Sequence, residues 1–255
     1  MNLISQEGGG MNMNRLENKV AIITGGAAGM GEAHVRLFIQ EGAKVILTDI
    51  NAEKGEALAK ELGENALFIQ HDVTDEAGWE NVVSEAEKAF GPVNILVNNA
   101  GISPVLSLEH ASLDDYMTVV NINQVSVFLG MKYVAASMKK AESGSIINVS
   151  SINGLKGGVI GYTDTKFAVR GMSKAAAREL AQYNIRVNSV HPGVIDTPMV
   201  RESGAFDKIQ QMVQMIPLKR MAQPNEISQL VLFLASDDSS YSTGAEFIAD
   251  GGITS

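Results

Sequence analysis

Tyr162 and Lys166 stand four positions apart in GYTDTKFAV, residues 161–169. On a helix that spacing places both side chains on one face, a turn apart. An ammonium beside a phenol favours the phenolate, and a phenol armed in this way can exchange a proton near neutral pH. The spacing alone decides little, because five tyrosines and 13 lysines in 255 residues give a Tyr-x-x-x-Lys about 0.25 times by chance.

A second constellation is the glycine-rich TGGAAGMG, residues 24–31. Its Gly25, Ala28, Gly29, Met30 and Gly31 suit a tight turn that lets backbone approach a pyrophosphate at the N-terminus of a helix. Asp49 lies 24 residues beyond Gly25, followed by Ile50. A carboxylate there can accept hydrogen bonds from both adenosine ribose hydroxyls and would repel a 2′-phosphate. Neither the glycine loop nor positions 50–52 carry Lys or Arg, so the expected cofactor is NAD over NADP.

These residues need a scaffold, and the apolar pattern supplies one. Short continuous apolar runs, such as KVAIIT (19–24) and KVILTD (44–49), read as strands covered on both faces. Further strands are ALFIQHD, NILVNNAG, SGSIINVSS, IRVNSV and AEFIAD. Between them lie helical repeats: Met30, Ala33, Leu37 and Phe38; residues 51–63 with an Asn51 cap; and the face Trp79, Val82, Val83, Ala86 and Phe90. Helices are also expected over about 113–139, 162–183 and 225–236. Strand and helix alternate without a linker. The expectation is therefore one α/β domain over 15–255, a doubly wound Rossmann-type fold with about seven parallel strands and helices on both faces. Residues 1–14 read as a disordered leader or tag remnant.

Composition excludes several functions. There is no cysteine, which removes disulfides, thiol catalysis and Cys-ligated zinc and fits a cytoplasmic protein. Four scattered histidines without an i, i+4 pair give no metal site. A net charge of −9 without a basic cluster argues against nucleic acid. No apolar run reaches the roughly 18 residues of a membrane span.

Eight motifs in order carry a resemblance: TGGAAGMG, HDV (71–73), NNAG (98–101), VNI (120–122), NVSS (148–151), YTDTK (162–166), IRVNSVHPGVIDTPM (185–199) and ADGG (249–252). Together they resemble the short-chain dehydrogenase/reductase family, in its compact single-domain branch, over about residues 15–255. The resemblance implies Tyr162 as general acid/base and Lys166 as the cation that lowers its pKa and binds the nicotinamide ribose. It implies Ser151 as the donor to the substrate oxygen and Asn121 as the holder of a proton-relay water. Asp72 and Val73 would flank the adenine. Asn98, Asn99, Ala100 and Gly101 would line the ribose and nicotinamide side. Pro192, Gly193 and Ile195 would pin the carboxamide, with Thr197 nearby. His191 looks chemical by type but holds a position the family does not use. A homotetramer, a dimer of dimers through the helices at 113–139 and 162–183, is implied as well.

Two departures stand out. Asp164 and Thr165 replace the usual Ala and Ser; they should face away from the Tyr–Lys pair, although the Asp164 carboxylate could raise the Tyr162 pKa. Ser151 lies 11 residues before Tyr162, about two fewer than usual, so the pocket wall at 152–161 should be reshaped. Residues 197–221 form the expected lid, carrying Met199, Val200, Met212, Met215, Ile216 and Met221; an apolar lid points to a hydrophobic secondary alcohol or ketone. The chain is similar to bacterial secondary-alcohol and hydroxysteroid dehydrogenases. The competing readings are a 3-oxoacyl-carrier-protein reductase, which would prefer NADP and need a basic face, and an NAD(H)-binding redox sensor without turnover. A sugar-nucleotide epimerase would need a longer C-terminal part.

Overall fold

The computed structural model describes residues 14–204 and 206–255, so the expected leader lies outside the described residues except for Asn14. Its strands are β1 (Val20–Thr24), β2 (Lys44–Asp49), β3 (Ala66–Gln70), β4 (Ile95–Asn98), β5 (Gly144–Val149), β6 (Ile185–Pro192) and β7 (Glu246–Ala249). The major helices are α1 (Gly29–Gln40), α2 (Ala52–Leu62), α3 (Glu76–Phe90), α4 (Leu113–Val120), α5 (Ser126–Lys140), α6 (Tyr162–Leu180), α7 (Pro198–Arg201), α8 (Phe206–Val213) and α9 (Pro224–Ala235).

The strands pair in parallel in the order β3-β2-β1-β4-β5-β6-β7. Strand alternation explains the two cores. Ala21 and Ile23 of β1 join Val45 and Leu47 beneath α1 and α9, while Val20, Ile22 and Ile46 join the opposite core with α3, α5 and α6. Every position of β1 and β4 is buried, as a sheet covered on both faces requires. The protein is a single doubly wound Rossmann-type α/β domain, as the apolar pattern predicts. Among the described residues no helix is long and apolar enough to cross a membrane.

The strand order reverses between β1 and β4, and a crevice opens there at the strands' C-terminal ends, the place where such folds bind ligands. Two details depart from the sequence expectation. The helix expected over 113–139 is interrupted by a π-helical turn, Asn121–Val125, between α4 and α5. The expected lid holds two short helices, α7 and α8. Val194, Val213 and Ile216 form a separate small core there, packed by Val200, Ile209, Met212 and Met221.

Candidate active site

A cavity of about 340 Å³ occupies the crevice, lined at its outer end by Asp49, Ile50, His71, Asp72 and Val73. Gly25, Ala28, Gly29 and Met30 form its floor, and Thr197, Pro198 and Met199 come down from the lid side. Asn99, Ala100, Gly101, Ile102 and Ile122 lead inward. No Lys or Arg lines this cavity.

The glycine loop is shaped by contacts that a side chain would block. Gly25 has φ +61° and Gly29 φ +58°. A Cβ on Gly31 would strike the Gly25 carbonyl oxygen, and one on Gly26 would come within 2.8 Å of Leu47 Cβ. Gly31 does not line the cavity; it lets α1 start against the loop. Asn99 Nδ2 donates to the carbonyls of Thr24 and Gly25 at 3.0 and 3.2 Å, bracing the same loop. Asp49 is held at the rim by two backbone N–H groups, Ala27 to Oδ2 at 3.2 Å and Asn51 to Oδ1 at 3.0 Å.

Ser151, Tyr162 and Lys166 do not line this cavity; Lys166 lies behind Gly101 at its inner wall, with Tyr162 and Ser151 next to it. Lys166 is buried and donates to the Val149 carbonyl at 2.9 Å. Its Nζ lies 3.6 Å from where a Cβ on Gly101 would stand, which puts it directly behind the cavity's inner wall. It has no ion-pair partner among the described residues, and burial lowers its pKa to about 8. Tyr162 begins α6, with Lys166 Nζ 5.5 Å from its ring centroid. Burial pushes the phenol's pKa up, opposed by a hydrogen bond with the Ser151 hydroxyl. In the protein alone the shift thus runs opposite to the expected lowering, because burial of the phenol outweighs the Ser151 hydrogen bond. Ser151 is the serine that faces the site: its Oγ accepts from the Asn153 N–H at 3.1 Å, while Ser150 Oγ donates back to the Lys166 carbonyl.

Several expected site residues stand elsewhere. Asn121 is exposed on the outer face. Asn123, two residues on, is fully buried in the π-turn; its Oδ1 accepts from Ile102 N–H at 2.9 Å and its Nδ2 donates to the Ile102 carbonyl at 2.8 Å. Its Oδ1 and Lys166 Nζ lie 3.2 and 3.6 Å from the same point, the Cβ position of Gly101. Asn98 does not reach the cavity: it is buried in the sheet and donates to Asn148 Oδ1 at 2.8 Å. Pro192 and Gly193 turn the chain beside Asp250. Ile195 pairs with Ala222, but the bonds run through Val194 and Asp196, leaving the Ile195 N–H and C=O outside that ladder. His191 is buried and structural in its contacts, with Nδ1 on the Ser151 carbonyl at 3.1 Å and Nε2 on Ser189 at 2.9 Å. Asp164 accepts a hydrogen bond from Tyr116 and does not act on the Tyr162 phenol. Of the lid methionines only Met199 lines the cavity; Met212 and Met221 pack within the lid's own core and Met215 is exposed.

Sequence reasoning missed Asn123, His71, Ile102, Ile122 and Pro198. His71 meets Trp79 edge-on at 4.8 Å, a burial that its place at the head of HDV gave no means to foresee. Asn123 carried a readable signal: it continues the buried helical face of Val119, Ser126, Val127 and Gly130, while Asn121 continues the exposed stripe of Leu113 and Met117.

Comparison with known proteins decides the family. A family model described as enoyl-(acyl carrier protein) reductase matches residues 25–254. The chain is 49% identical to a 3-alpha-(or 20-beta)-hydroxysteroid dehydrogenase of Mycobacterium bovis, over 93% of this chain and 90% of the relative. It is 43% identical to the NADP-dependent (R)-specific alcohol dehydrogenase of Lentilactobacillus kefiri, over 94% and 98%. It is 44% identical to the cyclopentanol dehydrogenase of Comamonas sp., over 95% and 99%. The chain belongs to the short-chain dehydrogenase/reductase family. It is an oxidoreductase, and the family implies a nicotinamide dinucleotide. The cavity fits that group: backbone of Gly25 and Gly29 at positive φ lines its floor, the Asp49 carboxylate stands at one end, and Gly101, with Lys166 Nζ behind it, stands at the other.

Proposed function

We propose that this protein is an NAD-dependent dehydrogenase that interconverts a hydrophobic, alicyclic secondary alcohol and its ketone. The observation that carries the reading is that Lys166, with Tyr162 and Ser151 beside it, stands behind Gly101 of a cavity whose outer end presents Asp49. Bound nicotinamide would accept or deliver the hydride. Asp49 and Ile50 would hold the adenosine ribose, Asp72 and Val73 the adenine, the N–H groups around Gly29 and Met30 the pyrophosphate, and the Ile195 backbone with Thr197 the carboxamide.

The chain's own residues handle the proton and the oxygen. Ser151 Oγ accepts from the Asn153 N–H; its own hydrogen, which meets the Tyr162 oxygen in the protein alone, would turn to the substrate oxygen and stabilise charge there. Tyr162 takes the alcohol proton during oxidation and returns it to the ketone during reduction. The Lys166 cation favours the phenolate. Asn123, in the place first expected for Asn121, would hold the relay water between Lys166 and solvent.

Substrate class follows from the walls. Leu106 and Ile160 form a bridge that joins the loop before α4 to the segment before α6, bracketing Tyr162 with apolar residues. Val105, Leu108 and Met199 are exposed by 71%, 84% and 50%, an apolar rim suited to a hydrocarbon ring. The relatives named for steroids, (R)-alcohols and cyclopentanol favour the same class. No basic rim suits an acidic carrier protein. Assembly as a homotetramer is proposed on the exposed Phe128, Phe167 and Met117 along α4, α5 and α6.

The test is absorbance at 340 nm with NADH or NADPH and a panel of cyclic ketones, ketosteroids and 3-oxoacyl thioesters. Turnover of cyclic ketones with NADH, lost in Tyr162→Phe, supports the reading. Turnover confined to thioesters, or NADH binding without turnover, overturns it.

A further inference from the structure

The catalytic phenol is carried by the first residue of a helix, and first turns fray because their N–H groups lack partners. Here backbone protects part of the turn, the Thr163 N–H bonding the Val159 carbonyl at 2.8 Å, but no side chain does. Gly161 precedes Tyr162 at φ +81°, and no side chain caps α6. Asp164 stands at the third helical position, from which a carboxylate ordinarily reaches back to the helix start. Its Oδ2 instead accepts a 2.6 Å hydrogen bond from the Tyr116 hydroxyl of α4, and its Oδ1 is buried too.

The other ties of this turn run inward. Lys166 bonds to Val149, Ser150 bonds to the Lys166 carbonyl, and Thr165 Oγ1 folds back on the carbonyls of Gly161 and Tyr162. With Asn123 Nδ2 3.5 Å from Thr165 Oγ1, they fix the inner side of the turn and leave its α4-facing side to Asp164. Among the described residues Tyr116–Asp164 is the one side-chain hydrogen bond that joins the turn to α4. The segment that enters the turn is about two residues shorter than the family's usual spacing.

We propose that Tyr116 and Asp164 are positioning residues for Tyr162: their hydrogen bond sets the roll of the first turn of α6, and with it the place of the phenolic oxygen relative to Ser151 and Lys166. The proposal rests on the reading of Tyr162 as the acid/base. Misplacement of a reacting group by about 1 Å can cost 10²-fold, so a partial loosening should be visible in kcat.

The experiment compares wild type with Tyr116→Phe, Asp164→Ala, Asp164→Asn, the Tyr116→Phe/Asp164→Ala double variant and Tyr162→Phe, with NADH and a turned-over cyclic ketone. Tyr116→Phe and Asp164→Ala should each lower kcat by about tenfold while KM for NADH stays within about twofold. Asp164→Asn keeps an acceptor oxygen for Tyr116 and should recover most of kcat. The double variant should be no slower than either single one. Unchanged kcat in both single variants, with only a lower melting temperature, overturns the proposal and leaves a plain structural bond. An Asn variant as slow as the Ala variant overturns it as well. Retained turnover in Tyr162→Phe would sink the acid/base reading instead, and the two failures are separable.

Discussion

Asn123 spends both ends of its amide on the Ile102 backbone, and this is the feature of the site that a single substitution tests most sharply. Asn123→Ala strands a buried N–H and a buried carbonyl, each worth about 1–3 kcal/mol when unpaired, and removes the polar group beside Lys166. It should lower the melting temperature and cut kcat at least tenfold, whereas Asn121→Ala, on the exposed face, should leave both within error; the reverse outcome would restore the relay to Asn121. Lys166 makes a second residue-scale prediction. Its folded pKa is lowered to about 8 by burial, so its charge, and its support of Tyr162, are present below pH 8 and lost above it. Ketone reduction in a pH series should therefore show kcat/KM falling about tenfold per unit above pH 8; a flat profile to pH 10 would contradict that. A third residue-scale prediction tests the proposed preference for NAD at Asp49. Bringing a 2′-phosphate against a carboxylate costs several kcal/mol, so NADH should exceed NADPH by about 10²-fold in kcat/KM, and Asp49→Ser should narrow the gap chiefly by improving NADPH.

At the scale of elements, the π-turn at Asn121–Val125 turns the buried face so that Asn123 meets Ile102, and such single-turn bulges recur at functional sites because they re-aim one side chain. The glycine loop works by close approach. Gly31→Ala would drive a Cβ into the Gly25 carbonyl and move the floor of the cavity; NADH titrations followed by fluorescence should show at least tenfold weaker binding in a variant that still folds. These elements also show what the sequence could reveal. The sheet was readable because KVAIIT and KVILTD are continuous apolar runs between glycine breaks, a pattern only a doubly covered strand tolerates. The places of Asp49 at the end of β2 and of Tyr162 and Lys166 a turn apart in α6 were readable because they depend on spacing along one element. Asn98 was misplaced because its neighbour Asn99 has the same chemistry, and only the partner Asn148, 50 residues away, decides which one turns inward. The lid was half readable: methionine spacing cannot tell Met199, on the cavity, from Met212, in a satellite core.

At the scale of the whole molecule, three histidines lie inside the fold, and all three are held below their ordinary pKa chiefly by burial. His34 is the extreme case. It is fully buried between α1 and α9, with Nδ1 2.7 Å from Ser228 Oγ, and its pKa is about 3. An unfolded histidine titrates near 6.5. Above that pH both states are neutral at His34, and its contribution to stability is complete. As pH falls from 6.5 toward 3 the unfolded chain binds a proton that the folded chain refuses, so stability drops by about 1.4 kcal/mol per unit for this one residue. Only the part of this window above pH 4.5 is clear of Glu246, which Arg170 and Lys174 hold down at about 2 and whose contribution fades as pH falls below its ordinary 4.5. Urea titrations from pH 8 to 5 should therefore show a loss that begins near 6.5. In His34→Gln, whose amide can still meet Ser228, the slope between pH 6.5 and 5 should shrink by about one proton, even if the variant is less stable at pH 8. An unchanged slope would mean that His34 already titrates in the folded state, and that the α1–α9 seam, which backs the glycine loop, admits water.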